Sequence, residues 1–142
     1  DAGAKITLCT DTKSADMFEA MRMAIASARW RADMKFVLDA KTVFGWGTVN
    51  GAKALKGHAG SGTLWVGSPA DLILLDPVAP NLRPVIDGYG IVVHSGSATN
   101  VTDVMVAGKW LVRDRKPTRV DMDSVIQEAQ NVAESLWRRA SG

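Results

Sequence analysis

The apolar pattern of this chain changes period near residue 63, and that change limits the fold more than any other feature. Before it, apolar residues recur three and four apart. After it they come in short, β-branched runs. The two periods belong to different kinds of element, so the chain must build a helical part and a sheet part. At 142 residues, folding buries roughly two thirds of the unfolded surface and one domain is expected. A complete (β/α)8 barrel is excluded, since it takes about 250 residues.

Residues 5–10 are rich in β-branched side chains and alternate, so a short strand is expected there. A polar turn from Asp11 to Ser14 leads into a helix over residues 15–29. Asp16 and Glu19 are spaced as a capping box, and Met17, Met21, Ala24, Ile25 and Ala28 form one apolar face. Together these make a strand–loop–helix unit. Asp39 is placed to cap a second helix over 40–46, with Val43 and Phe44 inward. Asn50 is placed to cap a third over 51–55, which Gly57 ends.

Strands are expected over 63–66, 71–75, 90–94, 101–107 and 110–113. Gly108-Lys109 reads as a two-residue hairpin loop of type II′, with Gly108 at positive φ. The stretch 76–90 carries Pro77, Pro80 and Pro84 and reads as a crossing loop. A closing helix is expected over 122–139. Val125, Ile126, Ala129, Val132, Ala133, Leu136 and Trp137 make its apolar stripe. Aspartates stand at its start and arginines at its end, as the helix dipole favours.

Composition narrows the function classes. Lys and Arg number 17 against 15 Asp and Glu, for a net charge of +2, and no basic cluster stands out. Neither a nucleic-acid partner nor a membrane partner is expected. No apolar run approaches the roughly 20 residues of a membrane helix. The single cysteine, Cys9, leaves no internal disulfide and no cysteine-based zinc site, and fits a reducing, cytoplasmic setting. The chain opens at Asp1 without a signal-like segment, and the first apolar run follows at once. It is expected to be cut from a longer protein.

Among chemistry-bearing residues Asp11 stands out, because side chains at the carboxyl ends of strands do the work in parallel β/α folds. A carboxylate there can bind a divalent metal or take a proton from water; it can also simply start a turn. His58 and His94 are the only histidines. A catalytic zinc usually takes three protein ligands, and no spacing pairs these two, so both read as structural. Cys9 lacks a histidine base and reads as a packed core thiol. The five tryptophans are irregularly spaced and read as core or interface anchors.

The order of segments resembles the C-terminal part of the amidohydrolase superfamily. The similar branch contains the cytosine and guanine deaminase-like enzymes, the S-adenosylhomocysteine deaminases and the triazine hydrolases. Leu8-Cys9-Thr10-Asp11 followed by Asp16-Met17-Phe18-Glu19-Ala20-Met21-Arg22 resembles that branch's last barrel strand and helix. Asn50-Gly51-Ala52-Lys53-Ala54-Leu55 resembles a later helix start. Gly62 to Asp76 resembles its paired strands, and Val104 to Val112 its hairpin. Cys9 replaces the family's usual glycine, Trp65 stands where an acidic residue is common, and Ser68-Pro69 replaces a lysine-containing turn.

The resemblance implies an α/β fold. The chain would hold the last strand–helix unit of a metal-dependent (β/α)8 barrel, the C-terminal part of a small β-sandwich and a closing helix. Residues 1–60 would end the barrel, 61–118 would contribute to the sandwich, and 119–142 would form the helix. It implies hydrolytic deamination, or a related hydrolysis, of a nitrogen heterocycle such as a purine, pyrimidine or triazine. The cofactor would be a divalent metal, zinc or iron. By resemblance Asp11 is the metal-proximal aspartate that acts as general base and proton shuttle. The other metal ligands, all histidines, would lie in an upstream barrel segment of the same protein or on another chain. A homo-oligomer is expected. The rival reading is a non-catalytic structural or interaction domain, inactive without the missing barrel.

Overall fold

A computed structural model describes residues 3–11, 14–55 and 60–141. The helical part follows from three aspartates that each start a helix. Asp16 accepts hydrogen bonds from the backbone N–H of Phe18 and Glu19, and α1 (Met17–Arg31) follows. Asp39 accepts from Thr42 N–H and starts α2 (Ala40–Gly47). Asp87 accepts from Tyr89 and Gly90 N–H and starts α4 (Gly88–Ser95). Each cap satisfies helix donors that would otherwise lack partners. Between α2 and α4 lies the short α3 (Val49–Ala54).

Helices α1, α2 and α4 pack against one another. Their shared core holds Phe18, Met21, Ile25, Ala40, Val43 and Val93, with Val43 and Val93 completely enclosed. Each large apolar side chain buried there contributes about 1.5–3 kcal/mol before entropy is counted. Gly96 closes α4, its N–H donating to the carbonyls of Ile91 and Val92. A Cβ at Gly96 would collide with the Val92 carbonyl and sit 2.9 Å from the Phe18 ring. Only glycine lets the helix end press onto Phe18. Arg22 Nη1 then donates to the Gly96 carbonyl at 2.6 Å and ties α1 to that end.

The sheet part is an antiparallel meander in the order β1 (Leu72–Leu75), β2 (Val101–Val106), β3 (Lys109–Arg113) and β4 (Lys116–Pro117). Leu72 lies opposite Met105 and Ile73 opposite Val104. Leu75 and Val101 reach the helical core and join the two parts. Beside that junction Asn81 and Asn100 exchange side-chain amide hydrogen bonds of 2.8 and 3.0 Å. Asn100 Oδ1 also accepts from Ser97 N–H at 3.0 Å. The buried amide is therefore satisfied, as burial demands. The last element, α5 (Met122–Ala140), is capped by Asp121 and exposed along its whole length.

Several sequence expectations need correction. Residues 5–10 are extended but pair with no strand among the described residues. A strand needs neighbours for its ladder, and here the segment has only single hydrogen bonds to α2 and α3. Residues 90–94 are helical, not a strand. The run Ile91-Val92-Val93 is too short for its period to decide, and the Asp87 cap settles it as helix. Residues 63–66 form no strand: a bend at Thr63 leads to a turn that starts at Val66, and the Thr63 and Ser68 hydroxyls lie 2.8 Å apart. Helix α3 begins at Val49, so Asn50 lies inside it and is not its cap. The hairpin loop is Ala107-Gly108, one residue earlier than expected, with φ of 48° and 74°. Two positive φ values make it type I′, which matches the right-handed strand twist. Gly108 has the expected positive φ. Gly57 and His58 lie outside the described residues.

Candidate active site

Asp11 ends the extended segment that runs toward α1. Two hydrogen bonds hold that segment. Leu8 N–H donates to the Trp46 carbonyl at 3.1 Å, at the end of α2. Asn50 Nδ2 donates to the Ile6 carbonyl at 2.9 Å. The Leu8 side chain packs against the helical core. The segment is thus laid along α2 and α3, and its last residues come free of them at Asp11.

Asp11 is exposed and takes a left-handed conformation, φ 56°. Its N–H donates to Cys9 Sγ at 3.2 Å. Cys9 is exposed, which corrects the expectation of a core thiol. As an acceptor its sulfur is weak, but it gives the Asp11 N–H a partner within the turn. Cys9 and Asp11 share no strand face, because no strand forms here and the chain turns at Asp11.

The other aspartates show what is distinctive about Asp11. Asp16, Asp39, Asp87 and Asp121 cap helices. Asp71 accepts the Ala107 N–H at 2.7 Å. Asp76 pairs with Arg115 at 2.9 Å and Asp103 with Arg113 at 3.1 Å. The carboxylate of Asp11 accepts no hydrogen bond from another described residue, and in this it is like those of Asp33, Asp114 and Asp123. It shares its positive φ with Asp33 and Asp114, which sit in plain turns. What separates it from those two is its place between the extended segment and α1.

The described residues contain no group of three His, Cys, Asp or Glu side chains able to hold a metal. Asp11 alone offers one donor, and a catalytic zinc usually takes three from protein. The described residues therefore do not form a metal centre by themselves. His94 is exposed in the last turn of α4 and is not brought to Asp11 as a partner. The tryptophans divide between core and surface. Trp46 packs on the core, and Trp110 carries the Arg113 guanidinium 4.5 Å from its ring centre. Trp30, Trp65 and Trp137 stand open, each more than three-quarters exposed.

Two residues that hold the site region were not recognised from sequence. Asn50 anchors the extended segment, and Arg22 locks α1 to the end of α4. The signal for Asn50 was its position one residue inside a helix start, where its amide can reach a neighbouring chain. Arg22 ends the Asp16–Arg22 motif, but nothing in that motif shows its bond to the Gly96 carbonyl.

Comparison with known proteins gives the family. Residues 1–111 match the Amidohydrolase family. A 5'-deoxyadenosine deaminase of Methanosarcina barkeri is 35% identical over 133 residues, covering 94% of this chain and 30% of that protein. A 5-methylthioadenosine/S-adenosylhomocysteine deaminase of Haloarcula marismortui is 35% identical over 144 residues, covering 99% and 33%. The crystal structure of an adenosine deaminase from Xanthomonas campestris with bound zinc superimposes with a TM-score of 0.80. It is 28% identical, covering 86% of this chain and 28% of that one. An atrazine chlorohydrolase from Arthrobacter aurescens complexed with zinc shares the fold, with a TM-score of 0.69 at 23% identity over 80% of this chain and 25% of that one. The chain thus spans about a third of the length of the curated relatives it matches. With more than three-quarters of its length inside the family match, this chain belongs to the amidohydrolase family.

Proposed function

We propose that the chain is the C-terminal third of an amidohydrolase-type deaminase that acts on an adenosine-like heterocycle. The observation that carries this reading is the agreement of the relatives. The curated proteins at 35% identity are deaminases of adenosine-type compounds, and a zinc-bound adenosine deaminase superimposes on most of the chain.

In the proposed reaction, water attacks the ring carbon that bears the exocyclic amino group. A C–O bond forms, the C–N bond breaks, and ammonia leaves. Asp11 takes a proton from the water and delivers one to the departing nitrogen, the task suited to a carboxylate general base and acid. Its carboxylate is uncommitted to any cap or ion pair described above, which leaves it available. A divalent metal, zinc or iron, would supply Lewis-acid activation of the water. Asp11 would be one donor to it, and upstream histidines the others. Residues 1–60 would then close a barrel, 61–118 would join a β-sandwich, and 119–142 would form the closing helix. The isolated 142 residues should not catalyse, because one donor does not hold a catalytic metal. A cytoplasmic setting is supported by the single cysteine.

The test is Asp11→Asn in the full-length protein. It keeps size and removes both charge and proton acceptor. Turnover on an adenosine-type substrate should fall by about 100-fold or more, the usual scale for a lost general acid–base. Circular dichroism should show an unchanged fold, and metal content should be measured on the same sample. Near-normal turnover with full metal would make Asp11 a turn residue and overturn its assignment.

A further inference from the structure

The Asn50 side chain reaches out of its own helix. Asn50 is the second residue of α3 and is followed by Gly51, and neither residue type favours a helix interior. Its Nδ2 donates to the Ile6 carbonyl, 44 residues away, at 2.9 Å. Two residues further on, the Leu8 N–H donates to the Trp46 carbonyl at 3.1 Å. In an extended chain, groups two residues apart point to the same side. Asn50 and Trp46 thus take the carbonyl and the N–H that a neighbouring parallel strand would take, and a side-chain amide supplies the donor.

From Leu8 to Asp11 is at most about 10 Å of chain. Beyond Asp11 the chain is fixed again at Asp16, whose carboxylate accepts from the Phe18 N–H at 2.8 Å and the Ala98 N–H at 3.4 Å. Between these fixed points the Asp11 N–H meets the Cys9 sulfur, a weak acceptor. The Asp11 carboxylate, bonded to no other described residue, takes its position from the backbone.

We propose that Asn50 is a positioning residue for Asp11: its bond to the Ile6 carbonyl sets where the extended segment ends, and so where the Asp11 carboxylate stands. That role rests on reading Asp11 as the group that moves protons. Proton transfer needs the carboxylate within hydrogen-bond reach of the water, and a displacement of about 1 Å can cost on the order of 100-fold in rate. The loss should fall on kcat and not on KM, since the displaced group acts in the chemical step.

The experiment compares the full-length, metal-loaded wild type with Asn50→Ala, Asn50→Asp, Asp11→Asn and the double variant Asn50→Ala/Asp11→Asn. Alanine is the better helix former, and a carboxylate suits the first turn of a helix, so α3 should persist in both Asn50 variants. Each removes the donor and should lower kcat on an adenosine-type substrate about 10-fold or more, with KM changed by less than about 2-fold. Amide hydrogen exchange at Leu8 should quicken in both, while that of Val43 in the closed core keeps its rate. On the Asp11→Asn background, Asn50→Ala should lower kcat no further, because the group it positions is already gone. A near-normal kcat for either Asn50 variant, beside a slow Asp11→Asn, would overturn the positioning role and leave the reading of Asp11 standing. A full loss repeated on the Asp11→Asn background would also overturn it, since Asn50 would then act on the fold at large. So would unchanged exchange at Leu8. Near-normal turnover of Asp11→Asn would instead bring down the reading of Asp11, and the role of Asn50 with it.

Discussion

Val43 and Val93 are sealed between α1, α2 and α4, whereas Ile73 and Leu74 of β1 are about half exposed and α5 is open throughout. Both regions carry many large apolar residues. They differ in what each brings to cover itself. Three helices can close on one another, because each presents a stripe and the three stripes meet. A four-stranded meander has two faces, and this one has too few neighbours to cover them. The turn segment makes the contrast sharper still: Leu64, Trp65 and Val66 are 83%, 78% and 107% exposed. Contiguous exposed apolar surface of this kind marks contact with further protein. The helical part encloses a core of its own, and the sheet part leaves more of its apolar surface open.

The largest effect that tests this contrast is a core truncation set against a surface one. Phe18 is 7% exposed and supports the end of α4. Phe18→Ala should cost about 3–5 kcal/mol, the usual range for a core phenylalanine. In these 142 residues alone Trp65→Ala should change stability by less than about 0.5 kcal/mol. Urea unfolding of both variants gives the comparison. If Trp65→Ala proved as costly as Phe18→Ala, the turn segment would be packed in solution, and the division between closed and open regions would fall.

A smaller effect probes the hairpin within the open region. Gly108 has φ 74°, and a Cβ there would meet nothing within 4 Å. Any penalty must therefore come from the backbone and not from crowding. Gly108→Val should cost about 1 kcal/mol or more, the strain of a β-branched residue held left-handed. Gly108→Asn should cost less, since asparagine tolerates that region. Equal unfolding midpoints for glycine and valine would mean that the turn relaxes freely.

How much of this was legible in sequence follows the same division. The helices of the closed region announce themselves through Asp16 and Asp39, each followed by apolar residues at helical spacing. Helix α5 did so as well, through Asp121 and its long stripe. The sheet from β1 to β3 was legible because alternation and a glycine turn agree there. Helix α4 was not, because Ile91-Val92-Val93 reads as strand locally and only Asp87 argues otherwise. Residues 5–10 and 63–66 have strand-like composition, yet a strand is made by its partner. Composition cannot show whether one is present. For Asp11, sequence found the junction of extended segment and helix. The conformation at that junction, and the Cys9 sulfur that meets its N–H, depend on where the chain leaves α2, which no local pattern records.

The smallest effect concerns the tie that fixes β1 to the turn after β3. Asp76 follows β1, and its carboxylate accepts the Val78 N–H at 3.0 Å and pairs with Arg115 at 2.9 Å. The Val78 N–H first, and then the Arg115 guanidinium, hold its pKa below the usual carboxylate range. A carboxyl group with a lowered folded pKa stabilises the fold above its unfolded pKa, about 3.9. That contribution is lost as pH falls through the folded value. Asp76→Asn keeps the shape and removes the charge. The gap in urea midpoint between wild type and Asp76→Asn should therefore be full at neutral pH and close as the pH drops below about 4. Arg115→Met removes the other half of the pair, and its gap from wild type should narrow over the same range. Because the pair is partly open to solvent, added salt should also narrow both gaps. A gap that persisted unchanged at pH 2 would show that Asp76 acts through packing. The open sheet would then be held by its ladder alone.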